Sequence, residues 1–419
     1  ARLNETLVQR VGQVVVDLNA LPPGRATIDA RLNLAHSLTR IDRSLNSALE
    51  VERGLSTIRT SLKQYQQELA KEQKASQTTP KPSPRRAPKP PEPVFLSRET
   101  QQRLQGVQRS SHQTAAQVLK QAIADAQAIQ NKRAESQAVS VLAELYGRWA
   151  KTPQQWADVE TLANRSLVLS QQSNAPEVAY RVQGLLGFAL KNQGQTAAAR
   201  AAFLVAAKNL QALRGDLVAV DPDIQYNFRD NVEVIYREAV EALLPTQGES
   251  PNQTNLEEAR RLIESLQLAE LDNFLREACV EGRPVALDRV VDQDNPKTAV
   301  IYPIILNNNR QIRVIAKIPG QKDLLYHAID LPTGTDVEVV LKTWQGKLRE
   351  TIVTPLSGRS EATRIYGWLV QPFQSQLQQS QVDTLVFVPD KTLRNVPMAA
   401  LFDAQQNKYL IQEYAIAVS

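Results

Sequence analysis

A single cysteine in 419 residues excludes an internal disulfide, and three widely spaced histidines leave no metal-ligand spacing. Aromatic residues make up only 5% of the chain, so its cores must be built from Ala, Leu, Val and Ile. No apolar run approaches the ~20 residues of a membrane span, which predicts a soluble chain, cytoplasmic rather than exported. No charged-then-apolar leader opens the sequence, so a signal peptide is expected to be absent or removed. Basic excess is confined to one place. Of the net charge of +5, nearly all comes from Lys74, Lys81, Arg85, Arg86 and Lys89 set against Glu92. With no basic face elsewhere to track phosphates, nucleic acid is not an expected partner. Nothing in these patterns implies a cofactor or a metal.

What is present divides the chain into four segments. Residues 1–73 read as helices: Leu3, Leu7, Val11 and Val14 recur at helical spacing, and Leu21-Pro22-Pro23-Gly24 breaks the run. Ile28, Leu32, Leu34 and Leu38 then Ile41, Leu45 and Leu49 carry a second pattern, and Ile58, Leu62, Tyr65 and Leu69 stripe a polar helix. Residues 74–96 form a basic linker with seven prolines between Pro80 and Pro93. Such a segment cannot build a core and tends to polyproline II, so it reads either as a semi-rigid spacer or as a ligand for a proline-recognising module.

Residues 97–268 read as helical repeats. In the clearest unit Leu186-Gly187 and Leu190 lie on a first helix, Gly194 makes the turn, and Ala199, Phe203 and Ala206 face back from a second. The small residues allow close approach and Phe203 fills the gap. This spacing resembles the tetratricopeptide repeat. A looser unit precedes it, with Leu142, Ala143 and Tyr146 then Trp156, Val159 and Ala163 offset around Lys151-Thr152-Pro153, and a weaker one covers about 98–130. Afterwards Phe228, Val232, Tyr236 and Val240 mark a helix with Leu256 to Leu268 as its partner. One continuous helix is expected from Glu257 to Cys279.

Residues 269–419 change period. Ala299 to Leu306 is strand-like. Ile312, Val314, Ala316 and Ile318 alternate with Gln311, Arg313 and Lys317, predicting a half-buried strand, and Leu324 to Ile329 completes an antiparallel meander. Helices are expected at about 335–350 and 361–379, then strands at 384–388 and from Tyr409 to Val418. Strands alternating with helices argue for an α/β domain.

The stretch Thr384 to Leu401, TLVFVPDKTLRNVPMAAL, runs from a short apolar strand into a polar turn, where Arg394-Asn395-Val396-Pro397 opens a small helix. With Asp294, Pro296 and Lys297 before the first strand and the junction segment Glu264 to Phe274, it resembles the CHAT domains of repeat–CHAT proteins, a kind abundant in filamentous cyanobacteria. The resemblance implies an all-α array of tetratricopeptide-like repeats followed by an incomplete α/β caspase-like domain. It further implies a cysteine peptidase in which a thiolate attacks, a histidine carries the proton and backbone N–H groups stabilise the oxyanion. In the family the reacting His and Cys lie on strands downstream of this turn, so the chain is expected to stop before them. The missing C-terminal part of the CHAT domain then joins a protein or peptide in the repeat groove as an expected partner. A substitute pair of Cys279 and His327 is not expected, because neither lies on a strand-end loop. His36 and His112, in polar helical contexts, read as solvated or capping residues. Asp390, Arg394 and Asn395 sit where α/β folds place ligands. They read either as turn-capping groups or as the lining of a substrate pocket. The other function class is a non-catalytic scaffold that only assembles partners.

Overall fold

The computed structural model describes residues 2–42, 44–45, 98–213, 232–275, 295–306, 309–332, 334–349 and 358–418. The expected polar helix at 54–72, the proline-rich linker at 74–96, Phe228 and Cys279 lie outside them. The chain divides into two compact units, Ala1–Gly194 and Gln195–Ser419. Among the described residues, no helix is long and apolar enough to cross a membrane.

The first unit is all helix. α1 (Arg2–Asn19) stops at the Leu21–Gly24 break, and α2 covers 25–42. α3 (Arg98–Ala128), α4 (Lys132–Trp149), α5 (Pro153–Gln172) and α6 (Pro176–Asn192) follow, each sequential pair from α3 onward packed together. The periodic residues Ile28, Leu32, Ala35 and Leu38 of α2 enter one core with Ala115, Leu119 and Ala122 of α3 and Val139, Leu142 and Leu145 of α4. A buried ion pair pins this corner. Arg31 Nε donates to Asp125 Oδ2 at 2.8 Å, and its other nitrogens donate to Asn19 Oδ1 and the Leu18 carbonyl. The turn at Lys151-Thr152-Pro153 starts α5 with a full capping box: Thr152 Oγ1 accepts from Gln155 N, and Gln155 Oε1 accepts from Thr152 N. Gly147 lets α4 approach its neighbours, since a Cβ there would stand 3.3 Å from Leu185 and 3.5 Å from Trp156. Leu186 and Gly187 are buried on α6, and Gly194 takes φ 79° at its end.

One expectation fails in this unit. The weakest repeat, at 98–130, is a single 31-residue helix rather than a helical pair. No proline interrupts it, and Gly106 alone costs too little to end a helix with a buried face. It stops at Gln130, whose φ is 53°.

The second unit begins with α7 (Thr196–Leu213), α8 (Val234–Leu243) and α9 (Gln253–Leu275), packed in sequence. Ala199, Phe203 and Ala206 are buried on α7, as their spacing predicts. Next come β1 (Thr298–Leu306), β2 (Gln311–Lys317), β3 (Leu325–Asp330), α10 (Val337–Leu348), α11 (Arg359–Leu369), α12 (Gln374–Gln379), β4 (Thr384–Phe387), the short hairpin β5 (Phe402–Asp403) and β6 (Lys408–Tyr409), and β7 (Ala415–Val418). The main sheet has the order β3-β2-β1-β4-β7. β1–β2 and β2–β3 are antiparallel; β1–β4 and β4–β7 are parallel. This is an all-helical region of packed helix pairs followed by a mixed α/β sheet.

β1 is buried at every position, as a strand covered on both faces should be. Ala299, Ile301 and Ile305 enter the core with Leu341 and Trp344 of α10 and Ile365 and Leu369 of α11. Tyr302, on the opposite face, donates its hydroxyl to Glu264 of α9 at 2.8 Å. The same double cover corrects the reading of β2 as half-buried. Arg313 and Lys317 are both buried. Arg313 pairs with Asp330 at 2.8 Å and donates to the Ile312 and Ile329 carbonyls, while Lys317 Nζ donates to the Gln321 carbonyl. Alternation of charge with apolar residues there marked two lined faces rather than one wet one.

Two further elements differ from their expected form. The helix at 361–379 breaks into α11, a 3₁₀ turn at Gln371–Phe373 and α12, because Pro372 can neither donate nor tolerate the preceding helical turn. The last strand does not run from Tyr409 to Val418. Tyr409 pairs with Phe402 in the β5–β6 hairpin, a 3₁₀ turn covers Leu410–Gln412, and only Ala415–Val418 joins the main sheet.

Candidate functional site

The carboxyl end of β4 is the place where this topology can present chemistry, since β4 and β7 run parallel and end side by side there, while their parallel neighbour β1 runs on to Leu306. Val388 continues the ladder, its N–H donating to the Ile301 carbonyl at 2.9 Å. Pro389 and Asp390 remain extended. Lys391 then takes φ 48°, a left-handed conformation unusual for a side-chain-bearing residue, and a 3₁₀ turn runs from Lys391 to Asn395. The small helix expected from Arg394 onward is thus two 3₁₀ turns, the second at Met398–Ala400 with Pro397 as its cap. Leu393, Val396 and Met398 enter the core and hold the turn from beneath.

Asp390 points inward and is buried. Its two oxygens accept from Arg237 of α8 in a fork, Nη1 to Oδ2 at 2.8 Å and Nη2 to Oδ1 at 2.9 Å. Oδ2 also accepts from the Ile305 backbone N–H at 3.1 Å. Arg237 Nε donates to Glu233, one helical turn earlier, at 2.6 Å. Burial works against the Arg237 charge, but the bonds and charge of Asp390, then those of Glu233, outweigh it and hold the guanidinium further above its ordinary value. Lys391 feels the reverse: burial first, and then the Arg237 charge, push its ammonium below the ordinary lysine value.

The other two candidate residues face elsewhere. Arg394 is 42% exposed and pairs with Glu270 of α9, while its Nε donates to the Pro389 carbonyl at 3.3 Å. That carbonyl also accepts from Gln267 Nε2 of α9 at 3.3 Å. The Asn395 side chain is exposed, and its carbonyl accepts from Gln345 of α10 at 3.2 Å. Asp390, Arg394 and Asn395 therefore share a turn but point to three different neighbours. Their partners Arg237, Glu270 and Gln345, and Gln267 on the Pro389 carbonyl, were not singled out as site residues by the sequence reading. The one available signal was a charged pair at i, i+4, Glu233 and Arg237, inside the apolar run Val232 to Val240.

His327 lies mid-strand in β3, opposite Val314 and at the antiparallel edge of the sheet, with β2 and β1 between it and β4. Burial pushes its imidazole below the ordinary value. His112 is half-buried inside α3 rather than capping it. Its ring lies tilted against Trp149, centroids 4.7 Å apart, its Nδ1 is covered without a hydrogen bond, and burial lowers its pKa against the opposing charge of Asp42. An open groove of about 540 Å³ lies at the amino ends of β1 and β4, lined by Pro296, Pro319, Gly320, Gln321, Gln379 and Ser380. Its lining carries no titratable side chain. Among the described residues, no group of three or more His, Cys, Asp or Glu side chains comes together to hold a metal ion.

The strand-end turn falls inside a segment that resembles a known family. Residues 359–419, from α11 through β7, match the CHAT domain, a caspase-like peptidase family. The matched segment is preceded in the chain by a helical region. No curated protein matches the chain.

Proposed function

We propose that the chain is the sensor and leading part of a repeat-regulated caspase-like cysteine peptidase. The helices act as tetratricopeptide-like repeats that bind a protein or peptide partner, and residues 1–419 hold no catalytic dyad of their own. A CHAT-domain segment outside these residues is the partner that supplies the reacting thiolate and imidazole. The observation that carries this reading is the CHAT match over 359–419, which includes two parallel strands and follows packed helices in the chain. The sole cysteine of the sequence, Cys279, falls at the expected end of the junction helix, and His327 falls mid-strand, so neither supports a dyad here.

A second reading has its own observation. Asp390 and Arg394 are both spent on contacts with α8 and α9, which suits a peptidase-derived platform that only assembles partners. A peptide-library cleavage assay separates the two. Residues 1–419 alone should give no thiol-dependent cleavage, and addition of the supplying CHAT segment should give it. Cleavage by 1–419 alone that is abolished by Cys279→Ala would overturn the division of labour. No cleavage in either arrangement would leave the scaffold.

A further inference from the structure

Two helices grip the strand-end turn at two depths. The inner grip is Asp390 with Arg237, side chains 3% and 12% exposed. The outer grip is Arg394 with Glu270, side chains 42% and 22% exposed, backed by Gln267 on the Pro389 carbonyl. The inner pair comes from α8 and the outer pair from α9, helices that pack on each other. A buried, forked ion pair is costly to break, whereas an exposed pair contributes little. The turn between the two grips contains Lys391 in a left-handed conformation, one that persists only while its surroundings over-determine it.

We propose that the α8–α9 hairpin is the regulatory arm of this turn. Arg237 is its fixed hinge, and the Glu270–Arg394 pair is the releasable contact that sets the turn's position. Displacement of α9 opens the outer grip without unpinning Asp390. It thereby moves residues 391–400, which border the carboxyl edge of the parallel strands. This deepens the peptidase reading and rests on it for its consequence in catalysis, though the mechanical coupling stands on its own contacts. Glu270 and Arg394 are positioning residues: they act through the turn and are not assigned to the chemistry.

Charge reversal tests it on the full chain. Glu270→Arg and Arg394→Glu each place like charges face to face, and the double variant restores an opposite pair. Hydrogen exchange across 391–401 should quicken about 1.5- to 5-fold in each single variant and recover in the double, for a change of the size expected of an exposed pair. Exchange in β1 and the urea midpoint should not move, which separates positioning from a general loss of fold. Gln267→Leu should quicken the same segment while leaving β1 unchanged. Unchanged exchange in both single variants, or no recovery in the double, overturns the proposal. In the assembled peptidase, the singles should change kcat and the double restore it. If exchange follows this pattern while no assembly cleaves, the coupling stands and the peptidase reading falls.

Discussion

Removing Arg237 should cost the second unit far more than an ordinary surface charge would. In Arg237→Ala the Asp390 carboxylate stays buried, with its side chain 3% exposed, and keeps only the Ile305 N–H of its three donors. A buried charge left without its partner costs about 3–5 kcal/mol. Arg237→Lys retains the charge but not the fork, so one charge-assisted bond is lost, worth about 1.5–3 kcal/mol. Asp390→Asn keeps an acceptor for Ile305 and leaves Arg237 with Glu233. In Arg237→Met with Asp390→Asn neither charge remains unpaired across the pair. The double should therefore be more stable than the sum of its single changes, by an interaction of about 0.5–3 kcal/mol.

Because the chain has two compact units, a single unfolding midpoint does not isolate this effect. Hydrogen exchange of β1 and β4 peptides does, since these strands flank the pair. A loss of about 3–5 kcal/mol should lower their protection by about two to nearly four powers of ten in Arg237→Ala, at roughly 1.4 kcal/mol per decade. A change of less than tenfold, or strict additivity in the double, would refute the view that Asp390 is a structural pin. It would return Asp390 to the role of an open pocket residue.

Two other perturbations follow from the same structure. The His112 imidazole is held below the ordinary histidine value of 6.5, so the unfolded chain takes up a proton first on acidification. Stability of the first unit should be flat above about pH 6.5 and fall below it, as linkage requires; thermal unfolding from pH 7.5 to 5.5 should show this, and His112→Phe should flatten the dependence. Gly358→Ala places a Cβ 2.9 Å from Trp344 Cδ1 at φ 74°. It should cost more than the ~1–2 kcal/mol of left-handed backbone alone, read as lowered hydrogen-exchange protection of α10 and α11 peptides; unchanged protection there would mean the Gly358–Trp344 contact yields easily.

Legibility in the sequence tracked the range over which each signal acts. The break at Leu21–Gly24, the interruption around Lys151-Thr152-Pro153 and the apolar run Ala299–Leu306 are local, and they appear where the residues place them. The meander β1-β2-β3 was readable because Asn309 and Gly320 turn the chain between adjacent apolar runs, both at positive φ. The split at Pro372 was also local, but the apolar stripe on either side masked it. Burial of Arg313 and Lys317 was not readable, because period 2 reports which residues share a face and not what covers each face. The site was least legible of all. Arg237 and Asp390 are 153 residues apart, and no pattern along the chain connects them. What could be read was that Asp390 ends a strand in a turn. Which of its two readings the fold uses depended on a helix beyond the reach of any periodicity.

That helix changes what the α/β unit is. Were α8 and α9 an independent repeat merely attached to the sheet, their contacts with it would be of the exposed, replaceable kind. Instead Asp390 takes two of its three bonds from α8, and the Tyr302 hydroxyl ends on α9. The Leu324 backbone satisfies both its N–H and its carbonyl on Gln253, at 2.9 and 3.0 Å. The Tyr326 hydroxyl bonds the Pro245 carbonyl at the connection between the two helices. Each would be a polar group stranded beside a covered strand if the helices left, a cost paid only where the two parts fold as one. The compact unit accordingly starts at Gln195, well before the first strand. A signal reaching α8 or α9 is therefore already inside the α/β unit, and the shallow Glu270–Arg394 contact is the least costly of these bonds for it to break.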